Sequence, residues 1–354
     1  MIRVLIAEDS ATCLGLLVEI IGSDPELKVI ATASHGAEAV TMTRDLRPDV
    51  VVMDIHMPIM DGFEATRHIM TDVPTPIVIV SATVNVREVA VSMHALRLGA
   101  LALMPKPSLS GTGDFSDTAR HFTSSIRAMS QVRVVRRWNP RSSLPPPRLL
   151  SSVPATAAPA RMLAIAASTG GPGALYRILS ELPASFAVPI VIVQHIATGF
   201  VEGLATWLNG ASKLRVKVAV DGERIEAGTA YIAPDDLHLG LSHLRQLAVS
   251  TAPPIGGFRP SATHLFDTVA RLHGAGGLAL VLTGMGDDGL PGLRAVHAAG
   301  GRVLAQDEQT SVVFGMPGAA VAAGVADSIL PLELIAARLV RLVGDARTSE
   351  GKSP

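Results

Sequence analysis

The segment AASTGGPG, residues 166–173, places Ser168 and Thr169 before two glycines, between an apolar run and a segment with helical spacing. Two chemistries use such a turn. Glycines at a helix N-terminus let backbone N–H groups approach a phosphate. The same turn can also present Ser168 as a nucleophile, with those N–H groups stabilising an oxyanion. The residues elsewhere in the chain decide between a phosphate site and a nucleophile.

A phosphate-binding loop fits this segment poorly. Gly170 and Gly171 do not complete G-x-G-x-x-G, and no Walker lysine and hydroxyl follow them. A nucleophile instead needs a base, and the base needs an orienting acid. The strand-like run PIVIVQH ends at His195, and LALVLTG leads into Asp287 and Asp288. Each residue alone also fits a structural role, but together, just past the ends of strands, they predict a Ser–His–Asp triad.

A second set of reactive side chains follows the strand-like runs of the N-terminal part. Glu8 and Asp9 come after the first run, Asp54 after the third, Ser81 after the fourth and Lys106 after the fifth. Carboxylates at one edge of a parallel sheet repel each other and favour an oxygen-liganded cation such as Mg²⁺. A lysine and a hydroxyl opposite them can bind phosphoryl oxygens, and an aspartate there can accept a phosphoryl group.

Strand-like runs alternate with helical patterns in two blocks, which predicts two α/β domains with parallel sheets. Between the blocks, the segment after Arg136 is rich in Pro, Ser, Ala and Arg and lacks periodicity, which is typical of a linker. The runs LRVKVAV, GTAYIAP, LHLGL and LRQLAVS are predicted to form an inserted group of short strands and hairpins. The predicted boundaries are a domain at 1–125, a linker at 126–160, a second domain at 161–345 and a disordered tail at 346–354.

The composition narrows the class of protein. The chain has 354 residues, 48% of them hydrophobic and 17% charged, which is enough for two cores and excludes wholesale disorder. The net charge of −1 and 3% aromatic residues give no case for nucleic acid or an anionic membrane as the main partner. A single cysteine and the lack of a leader or a long apolar segment favour a cytoplasmic protein.

The motifs IAEDS, MDIHMPIMDG, SA and PKP resemble those of the response-regulator receiver domain, over about residues 1–125. This resemblance implies a flavodoxin-like doubly wound fold, and a sensor histidine kinase as the phosphodonor for Asp54. One departure is Leu103, where the family often has an aromatic residue. The residues implied for Mg²⁺ binding are Glu8, Asp9, Asp54 and, through its backbone carbonyl, His56; those implied for phosphoryl sensing are Ser81 and Lys106.

The motifs ASTGGPGAL, QHIATGF, GTAYIAPDDLHL, RPSATHLF, LTGMGDDGLPGL and AQDEQTSVVFGMP resemble the catalytic domain of chemotaxis protein-glutamate methylesterases, from about Leu163 to Ala337. The resemblance implies a doubly wound, mostly parallel α/β hydrolytic domain. Gly318 departs from the family, which often has a basic residue after the proline. The implied roles are Ser168 as nucleophile, His195 as base, Asp288 as orienting acid, Thr169 and Met285 as oxyanion donors, and His238 and Arg259 as cleft residues.

The expected function is hydrolysis of glutamate γ-methyl esters on the cytoplasmic helices of chemoreceptors, controlled by phosphorylation. The ester hydrolysis is expected to need no cofactor, and the receiver to need Mg²⁺. Some family members also deamidate receptor glutamines, which the sequence leaves open. Two alternatives are a phosphoryl sink with an inactive hydrolase-like binding domain, and the same enzyme acting in a pathway outside motility.

Overall fold

The computed structural model of the chain describes residues 1–81, 86–107, 115–132, 134 and 160–344. Within it the chain divides into two units, residues 1–144 and 145–354. The predicted tail at 346–354 and most of the predicted linker lie outside the described residues. In the described part, no helix has the length and apolarity needed to cross a membrane.

The first unit is built on five parallel strands in the order β2-β1-β3-β4-β5. The central strands are continuous β-branched runs, which suits strands covered by helices on both faces. The order reverses between β1 and β3, as in the predicted flavodoxin-like fold, which is confirmed. The elements are β1 (Ile2–Ala7), α1 (Ala11–Gly22), β2 (Leu27–Ala33), α2 (Gly36–Leu46), β3 (Val50–Asp54), α3 (Gly62–Asp72), β4 (Ile77–Ser81), α4 (Val86–Ser92), α5 (His94–Leu98), β5 (Ala102–Pro105) and α6 (Phe115–Ser130).

Helix α6 crosses the predicted domain boundary at residue 125. Its buried side chains Phe122, Ile126 and Met129 recur at helical spacing, so the apolar stripe continues beyond that boundary. The Arg127 side chain also pairs with Asp24. The first residues of the predicted linker, 126–130, therefore belong to a helix of the first unit, and this part of the linker prediction is wrong.

The second unit contains a seven-stranded parallel sheet in the order β14-β13-β12-β6-β7-β9-β8. Helices cover it, and the order reverses between β6 and β12. The elements are β6 (Met162–Ala167), α7 (Gly171–Glu181), β7 (Ile190–Gln194), α8 (Val201–Ala211), β8 (Arg215–Val218), β9 (Thr229–Ile232), β10 (His238–His243), β11 (Gln246–Ser250), α9 (Ala262–His273), β12 (Gly277–Val281), α10 (Leu290–Ala298), β13 (Arg302–Gln306), α11 (Met316–Ala322), β14 (Ser328–Leu330) and α12 (Leu332–Val343), with a short 3₁₀ turn at Gly274–Gly276.

The predicted group of inserted short strands divides between two places. Strands β8 and β9 pair in parallel with each other, and β9 pairs with β7, so both extend the main sheet. Only β10 and β11 form a separate antiparallel hairpin. The doubly wound α/β prediction is confirmed, while the inserted part is smaller than expected. Because these strands are short, their sequence pattern does not distinguish an edge strand from a hairpin.

Candidate functional site

Ser168 lies directly after β6, in the turn that leads into α7. Its N–H donates to the Thr283 carbonyl at 3.0 Å, and its carbonyl accepts from the Gly171 N–H at 2.8 Å. Gly170 has a φ of +78°, a conformation that favours glycine. A Cβ at Gly171 would lie 2.1 Å from the Gln194 side-chain oxygen. The two glycines therefore let the helix begin close against the end of the neighbouring strand.

His195 lies at the end of β7, next to Ser168. Ala167 pairs with Gln194 in the parallel register, and the His195 N–H donates to the Ala167 carbonyl at 2.9 Å. The His195 Nε2 atom is 2.9 Å from Asp288 Oδ2. That distance is within hydrogen-bond range, while Nδ1, the other ring nitrogen, has no hydrogen-bond partner among the described residues.

Asp288 is bound by the N-terminus of α9. Its carboxylate accepts from the Ser261 hydroxyl at 2.8 Å, the Ala262 N–H at 2.7 Å and the Thr263 hydroxyl at 3.0 Å. Burial raises the pKa of this carboxyl, but hydrogen bonds from His195, Ala262 and Ser261 outweigh burial and lower the pKa to about 2. Asp288 is thus ionised at neutral pH.

The backbone around Ser168 contains the two predicted oxyanion donors. Among the residues that the structure describes, the N–H groups of Thr169 and Met285 have no hydrogen-bond acceptor. The Thr169 carbonyl accepts from the Thr283 hydroxyl at 2.8 Å, which fixes this turn. A Cβ at Gly284 would lie 2.7 Å from the Ser168 Cβ, so glycine there lets the segment before Met285 approach the serine.

The first unit gathers its acids around one lysine. The Lys106 Nζ atom is 2.8 Å from Glu8 Oε2 and 2.9 Å from Asp54 Oδ2, and both carboxylates are almost fully buried. One oxygen each from Glu8, Asp9 and Asp54 lies within 4.8 Å of the others. Burial and the charge of Glu8 raise the pKa of Asp54, although Lys106 opposes them. These hard oxygen ligands at one point suit a divalent cation such as Mg²⁺.

The other predicted residues of the first unit lie at the same sheet edge. Ser81 is buried at the end of β4, and its hydroxyl is 2.9 Å from the Ser92 hydroxyl on α4. His56 is exposed, directly after Asp54 and Ile55.

Comparisons with known proteins identify the family of the chain. The sequence profile of CheB methylesterase matches residues 163–339, and that of the response regulator receiver domain matches residues 4–111. The chain belongs to the CheB methylesterase family. It is 54% identical to protein-glutamate methylesterase/protein-glutamine glutaminase 4 of Myxococcus xanthus (strain DK1622) over 340 residues, covering 96% of each chain. The prediction of a receiver joined to a methylesterase domain is confirmed.

Two further matches support the same family. Protein-glutamate methylesterase/protein-glutamine glutaminase 3 of Anaeromyxobacter dehalogenans (strain 2CP-C) is 50% identical over 341 residues, with 96% of this chain and 98% of the relative covered. The crystal structure of the Thermotoga maritima CheB methylesterase catalytic domain superposes with a TM-score of 0.51 at 40% identity. That match covers 52% of this chain and all (100%) of the other.

Within this CheB-family chain, His238 and Arg259, the two residues implied to line the cleft, both contact the segment that precedes α9. His238 is fully buried, accepts from the Ser261 N–H at 3.2 Å and contacts the Pro253 carbonyl at 3.1 Å. Arg259 binds both oxygens of Asp236 at 2.8 Å. His238 therefore does not line an open cleft, and both side chains fix the segment that precedes α9; the cleft position of Arg259 stays a prediction.

Gln194 is a site residue that the sequence reasoning missed. Its side-chain N–H₂ donates to the carbonyls of Ser168 and His195, both at 2.8 Å, and the residue is buried. It thus links the backbones of the two residues at the ends of β6 and β7. The available signal was a polar residue at the end of an otherwise apolar strand, directly before His195.

Proposed function

We propose that this CheB-family chain is a serine esterase that hydrolyses glutamate γ-methyl esters on the cytoplasmic helices of chemoreceptors. The relatives' names also motivate hydrolysis of receptor glutamine side chains to glutamate. The observation that carries the proposal is the contact of His195 with Asp288 beside the Ser168 turn.

In the proposed reaction the Ser168 oxygen attacks the ester carbonyl while His195 Nδ1 takes the serine proton. The N–H groups of Thr169 and Met285 stabilise the negative oxygen of the tetrahedral intermediate. The imidazolium gives its proton to the methoxy oxygen as the C–O bond breaks, and methanol leaves. A water molecule, deprotonated by His195, then attacks the acyl-enzyme; the bond to Ser168 breaks, the serine oxygen takes the proton back from His195, and glutamate is released. With a glutamine substrate, ammonia leaves in place of methanol.

The role of Asp288 in this reaction follows from its environment. Because its pKa is lowered to about 2, its carboxylate carries a negative charge throughout the neutral range. That charge stabilises the His195 imidazolium formed by the proton transfer from Ser168, so in the proposed reaction it favours the transition state. Asp287 is exposed, whereas the carboxylate found at His195 is that of Asp288.

The first unit is proposed to control the esterase through phosphorylation of Asp54 by a sensor histidine kinase. Glu8, Asp9, Asp54 and the His56 carbonyl would hold Mg²⁺, which when bound neutralises charge on phosphoryl oxygens. The Lys106 ammonium contacts Asp54 and would bind a phosphoryl oxygen there. Ser81, at the adjacent strand end, would donate a hydrogen bond from its hydroxyl to a second phosphoryl oxygen.

The test is methanol release from methyl-labelled receptor membranes by the full chain, with and without acetyl phosphate and Mg²⁺. We expect release by the wild type, loss of release in Ser168→Ala, and an increase with acetyl phosphate that Asp54→Asn removes. No release by a wild type whose Asp54 is phosphorylated would contradict the esterase proposal and favour the phosphoryl-sink alternative. Release that ignores acetyl phosphate would contradict the proposed control alone.

A further inference from the structure

The face of the His195 ring is covered by Phe258. The two rings are stacked, with centroids 4.5 Å apart and planes inclined by 13°. Asp288 touches the edge of the same imidazole, at Nε2. A contact at one edge restricts the plane of the ring less than contacts at an edge and a face together. Packing against an aromatic face is a contact that does restrict rotation of the ring about its Cβ–Cγ bond.

Phe258 sits at the end of a tight turn that starts at Ile255. The two central glycines, Gly256 and Gly257, have φ values of +59° and +86°, as in a type I′ turn. The backbones of Ile255 and Phe258 exchange hydrogen bonds in both directions, at 3.0 and 3.1 Å. The hydrogen-bonded turn therefore fixes the backbone from which the Phe258 side chain extends.

Buried and paired groups fix the segment on both sides of Phe258. Arg259, the next residue, binds Asp236 through two hydrogen bonds and reaches the Thr251 carbonyl at 3.3 Å. The buried His238 contacts the backbone of Pro253 before the turn and of Ser261 after it. The same short segment, 258–263, thus places an aromatic ring on the face of His195 and the Asp288 carboxylate at its edge.

We propose that Phe258 is a positioning residue for His195. It holds the ring plane so that Nδ1 is directed at Ser168, and its π face stabilises the imidazolium that forms when Ser168 loses its proton. A cation within about 6 Å of an aromatic centroid gains such stabilisation, and the gain is larger where water is excluded. This inference rests on the proposed esterase function and deepens it.

Two properties separate positioning from receptor docking. A positioning residue acts on the chemical step, so Phe258→Leu should lower kcat by about 3- to 30-fold with KM changed by less than about 2-fold. Phe258→Tyr keeps the aromatic face and should stay within about 3-fold of the wild type. A residue that only contacts the receptor would raise KM and leave kcat unchanged.

The experiment combines methanol release with labelling of Ser168 by a small fluorophosphonate, which makes no contact with a receptor-binding surface. We expect Phe258→Leu to slow labelling by the same factor as kcat, and Phe258→Tyr to restore it. Ile255→Ala, an exposed residue of the same turn, is the matched control and should label at the wild-type rate. Equal labelling rates for Phe258→Leu and the wild type, with only KM raised, would overturn the inference.

Two controls keep this result separate from the proposed function. If Ser168→Ala hydrolyses receptor esters as fast as the wild type, the triad itself fails and Phe258 has no catalytic base to position. If the wild type is active and labelled while Phe258→Leu matches it in kcat and labelling, only the role of Phe258 fails. If the thermal unfolding of Phe258→Leu matches that of the wild type, a loss of activity in this variant is not caused by unfolding. If Phe258→Tyr loses as much activity as Phe258→Leu, the aromatic face does not position His195.

Discussion

The acid cluster of the first unit and the serine site of the second occupy the same place in two doubly wound sheets. Each lies at the carboxyl edge, where the strand order reverses: between β1 and β3 in one, between β6 and β12 in the other. In each, a glycine opens the next helix close to the site. A Cβ at Gly62 would lie 2.1 Å from the Asp54 carbonyl, and one at Gly171 would lie 2.1 Å from the Gln194 side chain.

The two sites differ in how far hydrogen bonds and nearby cations stabilise their negative charges. Around Lys106 there are more carboxylates than cations, and burial beside Glu8 raises the pKa of Asp54. Around His195 a single carboxylate, Asp288, receives hydrogen bonds from a helix N-terminus, and its pKa falls to about 2. An uncompensated cluster suits the arrival of a cation and a phosphoryl group. A fully hydrogen-bonded carboxylate suits a permanent charge. One topology thus supports opposite electrostatics.

Asp288→Asn, which removes the permanent charge beside His195, is expected to have the largest effect on activity. The amide cannot balance the imidazolium charge, so we expect kcat for methanol release to fall by about 10³- to 10⁴-fold. Asp287→Asn is the matched control because Asp287 is adjacent but exposed, and it should stay within about 2-fold. Equal losses in both variants would show that the orienting acid is not specifically Asp288.

Alanine at the glycine that opens the helix beside each site is expected to affect activity and stability in the second unit and stability alone in the first. In Gly171→Ala the new Cβ would lie 2.1 Å from the Gln194 side-chain oxygen and 2.8 Å from the Ala167 Cβ, so Gln194 should move and release the Ser168 and His195 carbonyls. We expect kcat to fall by about 10- to 100-fold, together with a loss of stability because Ala167 is part of the buried strand. Gly173→Ala, where a Cβ meets nothing within 4 Å, should keep wild-type activity. Equal activity in both variants would contradict a role for Gln194.

In the first unit the corresponding change is Gly62→Ala, whose Cβ would meet backbone atoms that cannot move aside. We expect the cost to appear as lost stability, about 2–4 kcal/mol, rather than as a change in esterase kcat without phosphodonor. Thermal unfolding and basal methanol release measure the two effects. Gly15→Ala, with nothing within 4 Å of its Cβ, is the control and should be as stable as the wild type or more so.

The low pKa of Asp288 predicts a pH-dependent stability of the second unit. Its folded pKa of about 2 lies below the ordinary value of 3.8, so the charged form stabilises the fold by about 2 kcal/mol. This stabilisation is complete above about pH 4 and is lost as the pH falls through about 2. Denaturation followed by Trp207 fluorescence in a Trp138→Phe background should show the wild type and Asp288→Asn converging over that range. A constant difference between them would contradict the linkage.

The smallest expected effect is on the alkylation rate of Cys13, the single cysteine, which reports on the charge of the acid cluster. Burial and the charge of Glu8 raise the pKa of its thiol to about 12. A cation held by Glu8, Asp9 and Asp54 would oppose the charge contribution, increase the thiolate fraction and speed alkylation. We expect Mg²⁺ to raise the iodoacetamide rate at pH 8 by about 3-fold, which corresponds to half a pKa unit. The effect should disappear in Asp9→Asn; a rate independent of Mg²⁺ would argue against binding at this cluster.

Most of the framework was predictable because of one rule of parallel sheets. Strand-like runs end at Glu8, Asp54, Ser168 and His195, and the ends of parallel strands share one edge. The prediction was less accurate for short elements and at the edge of the linker. Strands β8 and β9 have four residues each, which is too few for their place in the main sheet to be predicted from the sequence. Helix α6 extends to Ser130, beyond the boundary that was placed by the composition of the linker.

By itself, then, the sequence determined the two α/β units and the residues that end their strands, because side-chain periodicity and turn residues act locally. Only the tertiary structure decided which groups complete the serine site. Ser261 reaches Asp288 across 27 residues of chain, Phe258 stacks on His195, and Gln194 joins two strand ends. Such contacts depend on how helix α9 and its preceding turn pack against the sheet edge. Packing of that kind is set by the shapes of side chains distant in sequence, which no local pattern records.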